Sequence, residues 1–427
     1  MRNPNSPLIA RCFDSGFPDA HDTYNAMSMA SDGRLYYVLS SDKLDVGGQM
    51  FRFNPSSEEI KHLGDLNVIC GQSDKKCIAQ GKSHVLFYEY QQKLYFATHV
   101  GYYQLIDGMD RLPEQAPDGF DLYPGGHILS YDLGNETFED LSMIPDGEGV
   151  VSMCMDTQRG NMFGITWPTG QFFTYQVKDK KLTLLGKISG NGEAGTPGED
   201  FRSLCRSLVV DEDTGHCYWT TIEGDIFYVD PMELKIHRLS NAHLRLDYFG
   251  KYEPSLPGTM GYHWRQIFWY APEQVAYGVH GNSGYLFKFD PKAQTVEIVD
   301  RITSLPSKKS GFFDQFSYGY LGFTLGPDGK TIYYLTGGPI FENGKRIEGE
   351  KSIAKGAAKG LENLHLITYE IPTNTYHDHG PIFYENGERP LYVNSISVDA
   401  AKNVYTLARV NRNGKIITDL IKINLFP

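Results

Sequence analysis

The sequence predicts an all-β protein, a seven-bladed β-propeller, from three observations. One strand pattern recurs seven times, each copy leads into an aromatic strand, and no long stretch has the 3.6-residue periodicity of an amphipathic helix. The recurring pattern, an apolar or small residue followed by Tyr or Phe, begins at Leu35, Leu94, Met162, Cys217, Ala276, Ile332 and Val404. These starts are 55 to 72 residues apart, and 427 residues divided by seven gives about 61. Seven units therefore account for a single domain, residues 1–427.

Each unit has the composition of four antiparallel strands. A small-residue strand and a polar turn such as Ser31–Gly33 come before the recurring pattern, as in a hairpin. An aromatic third strand follows, for example Asp225–Pro231, and a more polar fourth strand such as Glu59–Leu63 closes the unit. Four strands that are apolar inside and polar at the outer edge are typical of a propeller blade.

The two ends of the chain predict how the ring closes. The last unit has three strands before Pro427, whereas an additional strand, Leu8–Phe13, precedes the first unit. Pairing this N-terminal strand with the last unit removes an open sheet edge. We therefore expect it to complete the seventh blade.

Composition restricts the partners and the compartment. The net charge of −12 repels anions and no Lys/Arg cluster offsets it, so nucleic acid is not an expected partner. No apolar run approaches the ~20 residues that span a bilayer, so we expect no membrane association, and we expect a monomer. The first seven residues contain no apolar signal-peptide core, which leaves two alternatives: a cytosolic chain, or an exported one whose signal peptide was removed. The six cysteines form no CxxC pair, and we expect buried free thiols, with a bridge between Cys70 and Cys77 across a loop as the alternative.

Strand order in a blade assigns polar residues to one face of the ring. The inner strand starts, the second strand ends and the third strand begins on the same face, where propellers usually bind their ligands. By this rule His84, His99 and His127 of the second unit project onto one face. Imidazoles exchange protons near neutral pH, so these residues are candidate acid and base groups. Hydrogen bonding to loop carbonyls is the alternative role.

Arginines fall on the same face in later units. Arg202, Arg206 and Arg265 offer guanidinium groups that bind a carboxylate or sulfate through two hydrogen bonds. Such groups would offset the unfavourable net charge locally. Ion pairs with the protein's own carboxylates are the alternative.

Three further histidines raise the possibility of a metal. His263, His280 and His365 lie on this face in neighbouring units, and three imidazoles suit Zn²⁺ in a structural role. No short ligand motif accompanies them. The glycine pairs at 125–126 and 337–338 do not open helices, so we expect no organic cofactor.

Four short motifs stand out in these units: Tyr95–His99, Tyr123–His127, Gly164–Pro168 and Leu364–Tyr369. They resemble motifs of the seven-bladed propeller polysaccharide lyases of the ulvan lyase type, with oligogalacturonate lyase more distant. The resemblance implies cleavage of a uronic-acid-containing anionic polysaccharide by β-elimination, and a bound zinc.

Residue roles carried over from the resemblance are expectations of the same kind. His99 and His127 would be the catalytic pair, with Arg202 or Arg206 neutralising the uronate carboxylate. His84, Arg265 and Trp167 would contact the substrate. The family's catalytic tyrosine has no clear counterpart after the third unit, and Tyr248 is the candidate replacement.

Two other function classes compete with a lyase. A non-catalytic propeller that binds a glycan or a protein on the same face has the same sequence features, since fold alone does not specify activity. A propeller hydrolase or lactonase usually needs a carboxylate-rich metal centre, for which the sequence offers no candidates on this face.

Overall fold

The computed structural model describes residues 7–22, 24–106, 109–258, 260–310, 322–339, 341–343, 345–346, 362–390 and 393–425. Within these ranges the chain forms seven four-stranded antiparallel blades, which confirms the predicted propeller. No described helix is long and apolar enough to cross a membrane.

The blades follow one another along the chain, and the strands of each are given from the innermost outwards. Blades one to three contain Met27–Met29, Leu35–Leu39, Gln49–Asn54 and Glu59–Asp65; Tyr88–Tyr90, Lys93–Ala97, His127–Asp132 and Thr137–Met143; and Gly149–Asp156, Asn161–Trp167, Gln171–Gln176 and Lys181–Lys187. Blades four and five contain Val209–Val210, Cys217–Thr220, Asp225–Asp230 and Lys235–His243; and Trp264–Tyr270, Val275–His280, Tyr285–Asp290 and Thr295–Arg301. Blades six and seven contain Gly322–Leu325, Thr331–Pro339, Glu362–Glu370 and Thr375–Tyr384; and Ser397–Val398, Val404–Arg412, Lys415–Ile423 and Leu8–Cys12.

Short elements lie in the connections between strands. They are the α-helices Leu66–Ile69 and Leu305–Ser310, the 3₁₀ turns Gly192–Ala194 and Asp247–Phe249, and two hairpins, Gln104–Ile106 with Met109–Arg111 and Phe341–Glu342 with Lys345–Arg346.

The N-terminal strand closes the ring as predicted, and it also joins two blades. Leu8–Cys12 runs antiparallel to Lys415–Ile423, with Ala10 opposite Ile423. On its other side it runs parallel to Thr375–Tyr384, so blades six and seven form one eight-stranded sheet. This closing strand therefore has backbone partners along both edges, which protects it from pairing with other chains.

Apolar side chains of the second and third strands fill the space between blades. Phe172 of blade three stacks on Trp219 of blade four at 4.3 Å between ring centroids. Glycine at the third position of the recurring pattern makes room for an aromatic ring. A Cβ at Gly164 would come within 2.3 Å of the Phe173 ring, and one at Gly278 within 2.4 Å of the Phe287 ring.

All six cysteines are free thiols, as predicted.

Candidate functional site

A pocket of about 170 Å³ lies at the centre of the face that the strand order indicated. Its lining comes from blades one to five and from the approach to blade seven. By the same measure one water needs about 10–15 Å³, so the pocket has room for an organic ligand the size of a sugar unit. Five of the residues predicted from sequence line it: His84, His99, Trp167, Arg206 and Arg265.

His99 follows the second strand of blade two by two residues, and one of its ring nitrogens has no hydrogen-bond partner among the described residues. Its Nδ1 donates to the carbonyl of Val100 at 2.9 Å, and a carbonyl accepts only a proton-bearing nitrogen. Nε2 therefore carries the lone pair, and this buried atom has no hydrogen-bond partner among the described residues. Burial, followed by the positive charge of Lys82, holds the pKa of His99 well below its ordinary value, so the ring is neutral at pH 7.

His84 forms an aromatic wall with its neighbours. Its ring lies 4.5 Å from that of His99 and 4.2 Å from that of Tyr24, measured between centroids. Burial, then the repulsion between two protonated rings if His99 were also charged, lowers the pKa of His84 well below the usual value. The two imidazoles are thus uncharged at neutral pH. Of the two, His99 has the buried ring nitrogen without a hydrogen-bond partner among the described residues.

Glu193 anchors two lining residues from the connection between blades three and four. Its Oε1 accepts from Nη2 of Arg206 at 2.6 Å, and its Oε2 accepts from the indole of Trp167 at 2.9 Å. The turn that contains Glu193 passes close to Pro168. In this turn Gly192 has a φ of +58°, and the neighbouring backbone leaves no space for a side chain on it. A Cβ at Gly192 would lie 2.4 Å from the Pro168 carbonyl oxygen. The glycine therefore sets the position of Glu193.

Arg265 brings a second guanidinium to the pocket from blade five. The residue is 4% exposed, and Nη2 donates to Oδ1 of Asn394, on the approach to blade seven, at 3.2 Å. Together with Arg206 it places two permanent positive charges in a protein whose net charge is −12. These guanidinium groups offer hydrogen-bond donors to an anion, in a pocket that the carboxylates of Asp22, Asp110 and Glu193 also line.

Lys82 is a lining residue that was not among the sequence predictions. It lies two positions before His84, on the approach to the same inner strand, so the strand-order rule that selected histidines and arginines applies equally to this lysine. Its backbone pairs with that of His99 through two hydrogen bonds of 3.1 and 2.7 Å. Its Nζ donates to the Tyr24 hydroxyl at 3.0 Å.

Tyr103 also lines the pocket, four residues after His99. Its hydroxyl donates to the carbonyl of Val100 at 3.1 Å and lies 3.5 Å from Nδ1 of His99. Burial raises the pKa of Tyr103 well above its usual value, so the hydroxyl keeps its proton. Tyr103 follows His99 by four residues, and this spacing is a sequence signal that could have located it. The resemblance instead led us to expect the catalytic tyrosine after blade three.

His127 lies outside the pocket lining. Its Nδ1 donates to Asp140 at 2.8 Å and its Nε2 accepts from the amide of Gln72 at 2.8 Å. Gln72 in turn accepts from the amide of Gln80, so the ring belongs to a buried polar network within blade two. Both ring nitrogens are occupied there.

Two other predicted catalytic residues also lie away from the pocket. Arg202 is bound through Nε to Glu223 at 2.6 Å and through Nη1 to backbone carbonyls. The side chain of Tyr248 is 57% exposed and its ring packs beside Tyr285. The structure brings neither side chain to the cavity.

The three histidines expected to bind zinc do not meet. His263 donates from Nε2 to the Ser203 carbonyl and accepts at Nδ1 from the Thr220 hydroxyl. His280 donates to the Gly261 carbonyl and accepts from a serine hydroxyl. His365 donates to Asp378 at 2.9 Å.

These side chains do not fit a zinc site, because the ring nitrogens of the first two histidines are already hydrogen-bonded to the protein. Across the described ranges, no group of three or more His, Cys, Asp or Glu side chains is placed to hold a metal ion.

Comparisons with known proteins identify the fold and no family. No protein-family model and no curated protein matches the chain. A chain in the crystal structure of the mitotic checkpoint complex is similar with a TM-score of 0.50 and 9% identity, over 99% of this chain and 95% of that one. The extracellular domain of a putative hybrid two-component system from B. thetaiotaomicron is similar with a TM-score of 0.50 and 10% identity, over 99% of this chain and 42% of that one. The protein is a β-propeller. At such low identity the likeness carries no information about activity.

Proposed function

We propose that the protein is a polysaccharide lyase that cleaves a uronic-acid-containing anionic glycan, similar to ulvan, by β-elimination. The observation that carries the proposal is the unpartnered Nε2 of His99, a buried lone pair on a residue that lines the pocket together with Arg206 and Arg265. The short motifs shared with ulvan-type lyases point to the same reaction.

The arginines supply the first requirement of the reaction. A uronate carboxylate paired with Arg265 and Arg206 has its negative charge offset, and this acidifies the adjacent C5 proton. The same contacts stabilise the enolate-like charge that develops on the carboxylate as the proton leaves, which is the largest energetic demand of the reaction. Because the groups are already buried and oriented, little reorganisation accompanies the step.

His99 is the base in this proposal. Nε2 takes the C5 proton while Nδ1–H keeps its bond to the Val100 carbonyl, which stabilises the resulting imidazolium. An anionic ligand raises the basicity of the ring, since its charge offsets the burial and the nearby cations that keep the empty-pocket pKa low.

Tyr103 is the acid. Its raised pKa keeps the phenol protonated, and the hydroxyl delivers its proton to O4 as the C4–O4 bond breaks. The electron pair of the C5–H bond becomes the C4=C5 double bond of an unsaturated uronyl product. Tyr103 thus takes the role for which Tyr248 was the sequence candidate.

A substrate panel tests the proposal. The protein is incubated with ulvan, pectin, alginate and heparin-like glycans, and the ultraviolet absorbance of the unsaturated uronyl product is followed. We expect product from at least one substrate. We expect His99→Gln to slow turnover by roughly 100- to 10,000-fold, the usual contribution of a positioned base, and Arg265→Met to lower kcat/KM to a comparable extent.

Arg202→Met is the matched control, because it removes a guanidinium on the same face that lies outside the pocket. We expect it to retain activity. Glycan binding without product from any substrate would instead favour the non-catalytic binding propeller.

A further inference from the structure

Lys82 places a primary amine inside the pocket, between two tyrosine rings. Its Nζ lies 4.2 Å from the ring centroid of Tyr24 and 4.3 Å from that of Tyr103. The Tyr24 hydroxyl is 3.0 Å from Nζ, and only 2% of the lysine is exposed. The lyase reaction proposed above does not use this amine, so a different chemistry has to be considered for it.

Burial favours the neutral form of the amine, whereas most of the charges around it favour the ammonium form. Burial lowers the pKa of Lys82 to about 7, and the positive charge of Arg206 acts in the same direction. The carboxylates of Asp22, Asp110 and Asp42 oppose this shift without cancelling it. About half of the amine is then neutral at pH 7, against roughly one molecule in a few thousand for an ordinary lysine. The neutral amine is the nucleophile that attacks carbonyl carbon.

We propose that Lys82 is a carbonyl-reactive amine, which forms an imine with a small aldehydic or keto acid held in this pocket. Nζ attacks the carbonyl carbon to form a C–N bond, and the resulting carbinolamine loses the carbonyl oxygen as water. The two protons of that water come from the amine, with the adjacent Tyr24 hydroxyl as the relay. A C=N bond joins ligand and lysine.

The neighbouring guanidinium groups define the rest of the ligand. Arg206 and Arg265 line the same pocket as the amine, and guanidinium groups pair with carboxylates through two parallel hydrogen bonds. A ligand with a carbonyl carbon next to a carboxylate engages the amine and the arginines together. Imine formation needs no uronate glycan, so its outcome is independent of the lyase reaction.

Reductive trapping of the wild-type full chain tests the proposal. The protein is incubated at pH 7 with glyoxylate and sodium cyanoborohydride, which gives hydride to the C=N bond and leaves one carboxymethyl group on the amine. Peptide mass spectrometry then compares the Lys82 peptide with that of Lys178, a lysine in the turn between two strands of blade three. We expect Lys82 to react at least 10-fold faster. Equal or slower labelling of Lys82 would overturn the proposal.

Two controls identify the groups responsible. Lys82→Arg keeps the positive charge and Lys82→Met removes it, and both variants, with circular dichroism to verify folding, should lose the fast-reacting site. Propionaldehyde, which lacks the carboxylate, should label Lys82 more slowly than glyoxylate does. Equal rates for the two probes would contradict the keto-acid or aldehydic-acid class of ligand.

Discussion

Arg206 and Glu193 form an ion pair of 2.6 Å whose side chains are only 11% and 16% exposed. The same carboxylate accepts from the indole of Trp167, so one acidic group holds two walls of the pocket. Burial raises the pKa of Glu193, but Arg206 and the donors of Leu204 and Trp167 together hold it below the ordinary value. The carboxylate is therefore ionised at neutral pH, and the guanidinium has a fixed partner.

Glu193→Gln should destabilise the protein, because the amide leaves the buried Arg206 charge without its counter-ion. It also places a donor where the Trp167 indole needs an acceptor. We expect the free energy of unfolding to fall by about 3 kcal/mol in urea denaturation. Glu199→Gln, the same change at an exposed position of the same connection, should stay within about 0.5 kcal/mol. Equal stability of the two variants would contradict the anchoring role.

The two histidines that the sequence motifs paired should respond differently to substitution. His127 bridges Asp140 and Gln72 inside blade two, so His127→Asn should cost about 1–3 kcal/mol of unfolding free energy through unsatisfied buried partners. His99→Asn removes the unpartnered ring nitrogen of the proposed base and should act on kcat. Thermal unfolding and initial rates of both variants separate these effects. A collapse of kcat in a His127 variant of unchanged stability would return His127 to the catalytic pair.

Strand order along the chain was enough to find much of the pocket. His84 lies on the approach to an inner strand and Arg265 at the start of one. Trp167 ends a second strand and His99 follows another by two residues, so each lies near the central axis. The direction in which each strand runs determines this position, so no side-chain contact has to be known in advance. The same repeats predicted seven blades and the closing strand, because both follow from spacing alone.

A sequence does not show how far from the central axis a residue lies, and several predicted site residues lie outside the pocket. His127 and His365 belong to third strands, which lie further from the axis, so their side chains reach the interior of a blade instead of the pocket. Arg202 has the right residue type and the right face, but Glu223 holds it aside. A sequence does not indicate which acidic residue will bind which arginine. Lys82 shows that position on the approach to an inner strand, more than residue type, determines which side chain reaches the pocket.

The closing strand offers a matched pair of substitutions. Leu8 is fully buried between blades six and seven, whereas its neighbour Ile9 is 47% exposed on the other side of the strand. Leu8→Ala should therefore lower the free energy of unfolding by about 2–5 kcal/mol, and Ile9→Ala by no more than about 0.5 kcal/mol. Urea denaturation of the two variants measures both values. Similar losses would indicate that the closing strand does not hold this register.

Acid should destabilise the fold through its buried imidazoles, and His280 provides the test. Burial lowers the pKa of His280 to about 3, and its ring stacks on Phe249 at 4.0 Å. Well above the ordinary histidine pKa of about 6.5, neither the folded nor the unfolded ring is charged. Below that pH the imidazole is protonated in the unfolded chain but stays neutral in the folded protein. The free energy of unfolding therefore falls by up to about 1.4 kcal/mol per pH unit until about pH 3.

His280→Gln should remove this contribution, so that the urea midpoint changes less steeply between about pH 6.5 and 4 than in the wild type, even though the variant is less stable at pH 7. His237→Gln is the control, because that imidazole lies on an outer strand with a side chain that is 37% exposed. If the slope of the His280 variant matches that of the wild type, the ring is not excluded from protonation in the folded state, and its bonds to Gly261 and Ser283 do not hold it neutral.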